Sequence, residues 1–270
     1  MYPQWYLRFL DEVGPPPLGW SSNGEPVRNR EGKQIHGKAR QRVLLPACEP
    51  CNNELDRRFE KPAKDAIKRL VATHWSGIES QATWQAVGLW WAKVLLLLGH
   101  PLARHEHPRL DEVAVRYESE PPDYRWMVDG SPVPEGLSLW VFNGTIEEVS
   151  PAYSVPVPRW VREPDGVTTD FHFMMLGTEG LCVTLISHPG WAIEHPLVVR
   201  NEAWELLHAP PESGDLSTMP RLGSKAVGWP TFAGALKDGY RLGGDLPPLG
   251  TTEHWPASPE VLSVMASTYL

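Results

Sequence analysis

Two cysteines with two residues between them, Cys48-Glu49-Pro50-Cys51, are the side chains here best placed by type and spacing to do chemistry. A C-x-x-C turn aims both thiolates at one point about 2.3 Å from each sulfur, which is half of a tetrahedral zinc site. Structural zinc wants four ligands, so a second Cys or His pair is required. No second C-x-x-C exists: Cys182 is remote, and His36 is the one histidine before the pair. The other reading of Cys48 and Cys51 is a reduced, buried pair capping a helix. Directly after them come Asn52, Arg57, Arg58 and Glu60, which are an amide, two guanidiniums and a carboxylate in one helix-like run.

The elements that must position these groups follow from the pattern around them. Val43–Leu45 reads as a strand delivering the cysteines at a tight turn. Asn52 is a good helix cap, and Leu55 and Phe59, four apart, share one face of the helix after it. Pro62 suits the first turn of a second helix, with Ala63, Ile67, Leu70 and Val71 on its buried side. Ser80–Leu98 is the clearest helix. Trp84, Val87, Trp91, Val94, Leu95 and Leu98 follow three–four spacing, and Leu89, Trp90, Leu96 and Leu97 fill the other side. A helix apolar nearly all round is central to a core.

Upstream, residues 1–10 are bulky and apolar, and Pro15–Pro17 break the chain. Trp20 to Leu45 reads as short extended segments turning at Asn23-Gly24 and Glu31-Gly32. From about Glu112 the pattern changes to strands: Val113–Tyr117, Leu137–Phe142, Phe171–Leu176, Leu181–Ser187 and Leu197–Val199. From Ala209 onward Pro and Gly recur without period, and a long irregular segment is expected. The class is α+β, divided as a small metal-type module at 1–75, a central helical segment at 76–110 and a β-rich region at 111–270.

Charge is uneven. The net is −8, yet residues 1–70 hold 13 Lys and Arg against 9 Asp and Glu, while 71–270 hold 12 against 24. The most basic stretch carries Arg28, Arg30, Lys33, Lys38, Arg40 and Arg42 against Glu31. A basic front on an acidic body suits local contact with phosphates, and a solvated hairpin face explains it equally well. Three cysteines are too few for a disulfide scaffold and fit a reducing compartment. No secretory leader is visible, and the longest apolar run, Val87–Leu98, is interrupted by Lys93 and too short to span a bilayer. A cytoplasmic protein without a membrane partner is expected.

The stretch LLPACEPCNNELDRRFE resembles the second half of the HNH endonuclease module, a ββα-metal fold often built on a treble-clef zinc site. Two further stretches carry the resemblance: Tyr2-Pro3-Gln4-Trp5-Tyr6-Leu7, and Gly88-Leu89-Trp90-Trp91-Ala92-Lys93 in the long helix. It covers roughly the first hundred residues and is shared with HNH-like proteins of bacteria. The resemblance implies that Cys48 and Cys51 hold a structural Zn²⁺ and that Asn52 fixes the turn. Glu60 lies near where other branches place a late metal-ligating histidine. Asn52 and Glu60 are therefore the candidate catalytic residues, with Mg²⁺ or Mn²⁺ as the ion. Arg8, Arg40, Arg42, Arg57 and Arg58 are the candidates to neutralise phosphates of DNA or RNA.

In such proteins the first C-x-x-C and a general-base histidine lie immediately before the residue that is Met1 here. The chain read from Met1 is therefore expected to be inactive as a nuclease unless another histidine substitutes. Two explanations stay open: an upstream start that supplies the missing groups, or a module kept for another purpose. The rival functions are a non-catalytic scaffold binding nucleic acid or protein, and a small-molecule enzyme with its pocket in the Trp- and His-rich C-terminal half. For the latter, His188 and His195 bracket a turn beside Trp191; His100, His105 and His107 with Glu106 or Asp111 form a second possible metal group. No G-x-S-x-G, Walker, dinucleotide-binding or H-E-x-x-H motif is present.

Overall fold

A helix with apolar residues on every side needs neighbours on every side, and α4 (Gln81–Leu98) has them. Trp84, Val87, Trp90, Trp91 and the run Val94–Leu98 are all buried. The computed structural model describes residues 3–13, 21–22, 25–26, 43–98, 100, 102, 104–105, 122–145, 157–162, 168–178, 180–223, 231–236 and 239–243. Arg40, Arg42, the Glu31-Gly32 turn, the Val113–Tyr117 segment, Glu106, His107 and Asp111 lie outside the described residues.

On one side α4 meets α3 (Lys61–Ala72), whose Ala63, Ile67 and Leu70 are buried as their spacing predicts; Ala66 joins them, and Val71 is only half-buried. The first helix, α1 (Gln4–Val13), lies against α3 and sends Tyr6 edge-on to Trp90, with ring centres 4.9 Å apart. The expected pair of helices after Cys51 is instead one continuous run. α2 (Glu49–Leu55) passes through a π-helical turn, Asp56–Glu60, directly into α3. A proline inside a helix loses one hydrogen bond and crowds the carbonyl four residues back, here that of Arg58. The wider turn just before Pro62 gives that carbonyl room.

Cys48, rather than Asn52, caps this run. Its backbone is extended, its sulfur accepts the Cys51 N–H, and Pro50 occupies the first turn. The Asn52 N–H already bonds to the Cys48 carbonyl at 2.9 Å, so Asn52 sits one turn inside the helix. Proline is favoured at the first helical positions because its fixed φ suits them, and that moves the start upstream of the polar cap candidate.

The other side of α4 takes a mostly antiparallel sheet, ordered β11 (Trp204–Glu205), β6 (Leu137–Thr145), β9 (Leu181–Ser187), β8 (Thr168–Thr178), β7 (Val157–Arg162). In the β6–β9–β8 register Leu139, Leu185 and Met174 stand in one row, facing the core around α4. Trp140, Phe142, Cys182 and Ile186 point the other way, into a second cluster with Phe171, Leu197 and Ala203. A sheet buried on both faces loses the polar alternation of a half-exposed one. This is why Leu181–Ile186 is buried without a break and apolar but for Thr184.

Two expectations for the C-terminal half are corrected. Leu197–Val199 is not a strand but part of a short helix, α6 (Pro196–Val199), because Pro196 sets its first turn and His195 caps Leu197. A second helix of this size, α5 (Trp126–Asp129), precedes the sheet and ends on Gly130 with φ +85°. The stretch after Ala209 is not irregular throughout. It holds β12 (Ser213–Gly214), β13 (Leu222–Gly223) and a paired β14 (Thr231–Leu236) and β15 (Gly239–Gly243). β15 also runs parallel to β10 (Ala192–Glu194).

At the front, β1 (Ser21–Ser22) and β2 (Glu25–Pro26) pair antiparallel across the expected Asn23-Gly24 position. β3 (Val43–Leu44) leads to the cysteines as predicted, and its partner is β5 (Arg104–His105). β4 (Glu79–Ser80) opens α4 and pairs with β12. The mixed helix-and-sheet class expected from sequence is the class observed.

Candidate functional site

Lys93 is the single charge in the apolar stretch of α4, and its side chain is 3% exposed. A buried ammonium needs a counter-charge and acceptors. Glu60, at the end of the π turn, supplies one: Lys93 Nζ donates to Glu60 Oε1 at 2.8 Å. The second carboxylate oxygen, Oε2, accepts the indole N–H of Trp5 at 3.2 Å. Burial pulls the Lys93 ammonium below its ordinary value, and the Glu60 charge and hydrogen bond oppose that pull. Each stretch that carries the HNH resemblance contributes one member: Trp5 from α1, Glu60 from the Cys48 helix, Lys93 from α4.

The cysteines lie at the other end of that helical run. Cys48 Sγ and Cys51 Sγ are 2.7 Å apart, and the Cys51 N–H donates to Cys48 Sγ at 3.3 Å. Cys48 is exposed and Cys51 half-buried, so the pair is not the buried cap that was the alternative reading. The hydrogen bonds from Cys51, side chain first and backbone second, hold the Cys48 thiol below its ordinary value. Donating its own S–H raises Cys51. Two thiolates on one tetrahedral zinc would stand about 3.8 Å apart, given bonds of about 2.3 Å. The described residues include no group of three or more His, Cys, Asp or Glu able to hold a metal ion. They therefore fit two of the four zinc positions and no more.

Asn52 and Glu60 do not meet. Eight residues along a helix is about 12 Å, and Asn52 is exposed while Glu60 is half-buried against Lys93. One small divalent ion cannot take both in its first shell. The arginines divide likewise. Arg58 donates to the carbonyls of Trp126 and, at 2.7 Å, Ser131, with its guanidinium 5.5 Å from the Phe59 ring centre. It ties the helical run to α5. Arg57 is exposed and forked onto Glu54 at 2.9 and 2.5 Å. Arg8 is exposed on α1.

Two cations of α3 that the sequence reading passed over stand over aromatic rings of α1, the helix that carries Arg8. Lys64 Nζ lies 5.7 Å from the Trp5 ring centre, and Lys68 Nζ lies 5.6 Å from that of Phe9. The signal was present as two matching four-residue steps, Trp5/Phe9 and Lys64/Lys68. It becomes a surface only when α1 is known to lie along α3.

Comparison of the chain finds no matching family model, no matching curated protein and no matching solved structure. Its function is therefore carried by its own residues.

The two C-terminal histidines singled out in sequence, His188 and His195, each accept backbone N–H groups. His188 Nδ1 accepts the N–H groups of Gly190 at 3.2 Å and Trp191 at 2.8 Å. A ring nitrogen that accepts carries no proton, so Nε2 holds it and donates to Ser138 Oγ at 3.1 Å. A Ser–His nucleophile needs the opposite tautomer. His195 Nδ1 caps Leu197, and its ring packs on Trp140 and Phe142. His100 Nδ1 accepts the Leu102 N–H at 3.0 Å. His105 lies opposite Val43 in the β3–β5 pair.

Proposed function

We propose that this chain is an HNH-endonuclease relative that engages nucleic-acid phosphodiesters through the unit of α1, α2 and α3. The observation that supports it is the convergence of Trp5, Glu60 and Lys93. Three stretches far apart in sequence, noted for one resemblance, contribute to one buried polar contact. Chance likeness at three separate places gives no reason for their side chains to meet. Cys48 and Cys51 hold half of a structural Zn²⁺ site at the start of the helical run. Arg8, Lys64 and Lys68 form the phosphate-facing side, with Arg57 exposed nearby in sequence and Arg40 and Arg42 adding charge. Ammonium groups held over aromatic rings keep the two lysines in place and lower the entropy lost on binding.

A catalytic Mg²⁺ or Mn²⁺ would polarise the phosphoryl oxygen and steady the leaving oxygen. Within this chain, Glu60 could join such an ion only by giving up Lys93 or Trp5. The commitment of both Glu60 oxygens, and of Arg58 to two carbonyls, favours the second reading: a module that binds nucleic acid without cutting it.

The test is incubation of the full chain with supercoiled plasmid in Mg²⁺ and Mn²⁺, scored for retardation and nicking, beside elemental analysis for zinc. Retardation without nicking supports the binding scaffold. Nicking abolished by Glu60→Gln supports the nuclease. Neither retardation nor nicking at low salt overturns both.

A further inference from the structure

We infer that Cys48 and Cys51 form a redox-active dithiol that closes reversibly to a disulfide by exchange with a low-molecular-weight disulfide. The two sulfurs face each other in direct contact across the C-x-x-C turn. A covalent bond of about 2.05 Å requires a further approach smaller than one side-chain rotation provides. Cys48 is exposed and Cys51 half-buried, which separates an attacking sulfur from a resolving one. The Cys51 N–H points at Cys48 Sγ, placing a donor where a thiolate would carry its charge.

The chemistry balances with the reagent disulfide as oxidant. The Cys48 thiolate attacks one reagent sulfur, breaking the reagent S–S bond, forming a mixed disulfide and releasing one small thiolate. The Cys51 thiolate then attacks Cys48 Sγ, closing the protein disulfide and releasing the second. Two electrons pass from the dithiol to one reagent disulfide, and the two thiol protons end on the two released thiols. A reducing compartment returns the pair to the dithiol, as for other intracellular disulfides that act as sensors. Zinc and the disulfide are alternative states of the same sulfurs, so the inference stands apart from the nucleic-acid reading.

The third cysteine is a built-in control. Cys182 is fully buried in the sheet, and burial pushes its thiol up to about 12. The experiment is equilibration of the chelator-treated full chain with mixtures of oxidised and reduced glutathione, followed by acid quench, alkylation in denaturant and peptide mass spectrometry. The expected result is joint loss of the Cys48 and Cys51 thiols in one two-electron step, with Cys182 alkylated throughout. Cys51→Ser should trap glutathione on Cys48, and Cys48→Ser should react about tenfold more slowly. Both positions are surface or half-buried, and a thermal melt of each variant confirms folding. Independent glutathionylation of both cysteines, equal rates in the two variants, or no reaction after chelation would each overturn the inference. Zinc content, scored separately, bears only on the metal.

Discussion

Lys93 is a buried ammonium whose counter-charge is the half-buried carboxylate of Glu60. Removing one partner of a buried pair leaves the other uncompensated and typically costs about 3–5 kcal/mol, whereas replacing both by apolar groups is often neutral. Urea unfolding should show Glu60→Ala losing stability in that range and the pair Glu60→Leu with Lys93→Met recovering most of it. Equal loss in single and double variants would mean the ion pair is not what holds this site. Half of this arrangement was legible in sequence. Lys93 stood out as the one charge in an apolar helix, but its partner lies 33 residues away. Glu60 looked instead like a helix-end carboxylate free to bind an ion, because nothing local says that the π turn rotates it inward.

At the scale of elements, period was legible and punctuation was not. The three–four spacing of α4 and the apolar run of β9 placed both elements. The run Leu197–Val199 did not declare its type, since short apolar runs fit either state and Pro196 decided it. Asn52 failed as a cap for a similar reason: Pro50 fixed the helix start first. Close packing gives this scale its own prediction. A Cβ added at Gly88, in the middle of α4, would lie 2.5 Å from Leu206 Cβ and 2.9 Å from its carbonyl oxygen. Gly88→Ala should gain helix propensity but lose more to overpacking, a net destabilisation of about 1–3 kcal/mol read as a lower urea midpoint. A higher midpoint would show that the segment around Leu206 can yield.

For the molecule as a whole, buried neutral histidines set the acid response. Burial holds His172 at about 4, and burial together with the His208 charge holds His188 at about 4, against an ordinary 6.5. Between those values the unfolded chain binds protons that the folded chain refuses. Their contribution is complete above pH 6.5 and is lost as pH falls toward 4. Each is worth about 3 kcal/mol at most by that span. Thermal melts should fall steadily from pH 6.5 to 4, and His188→Gln should flatten the fall; a flat profile would contradict burial of these rings. Among the described residues no helix is long and apolar enough to cross a membrane. The overall acidity hides the basic side of α1 and α3, which composition alone could suggest but not locate.

That side is the place to test the account. The most direct measurement is binding of the full chain to a fluorescent DNA duplex across a salt series, for the protein and for Arg8→Gln, Lys64→Gln, Lys68→Gln combined. Each phosphate contact adds about 0.9 to the slope of log affinity against log salt. Salt-sensitive binding is predicted, weakened by the triple substitution with a slope shallower by about 2–3. No binding at low salt, or an unchanged slope in the triple variant, would contradict a phosphodiester-binding role for this face.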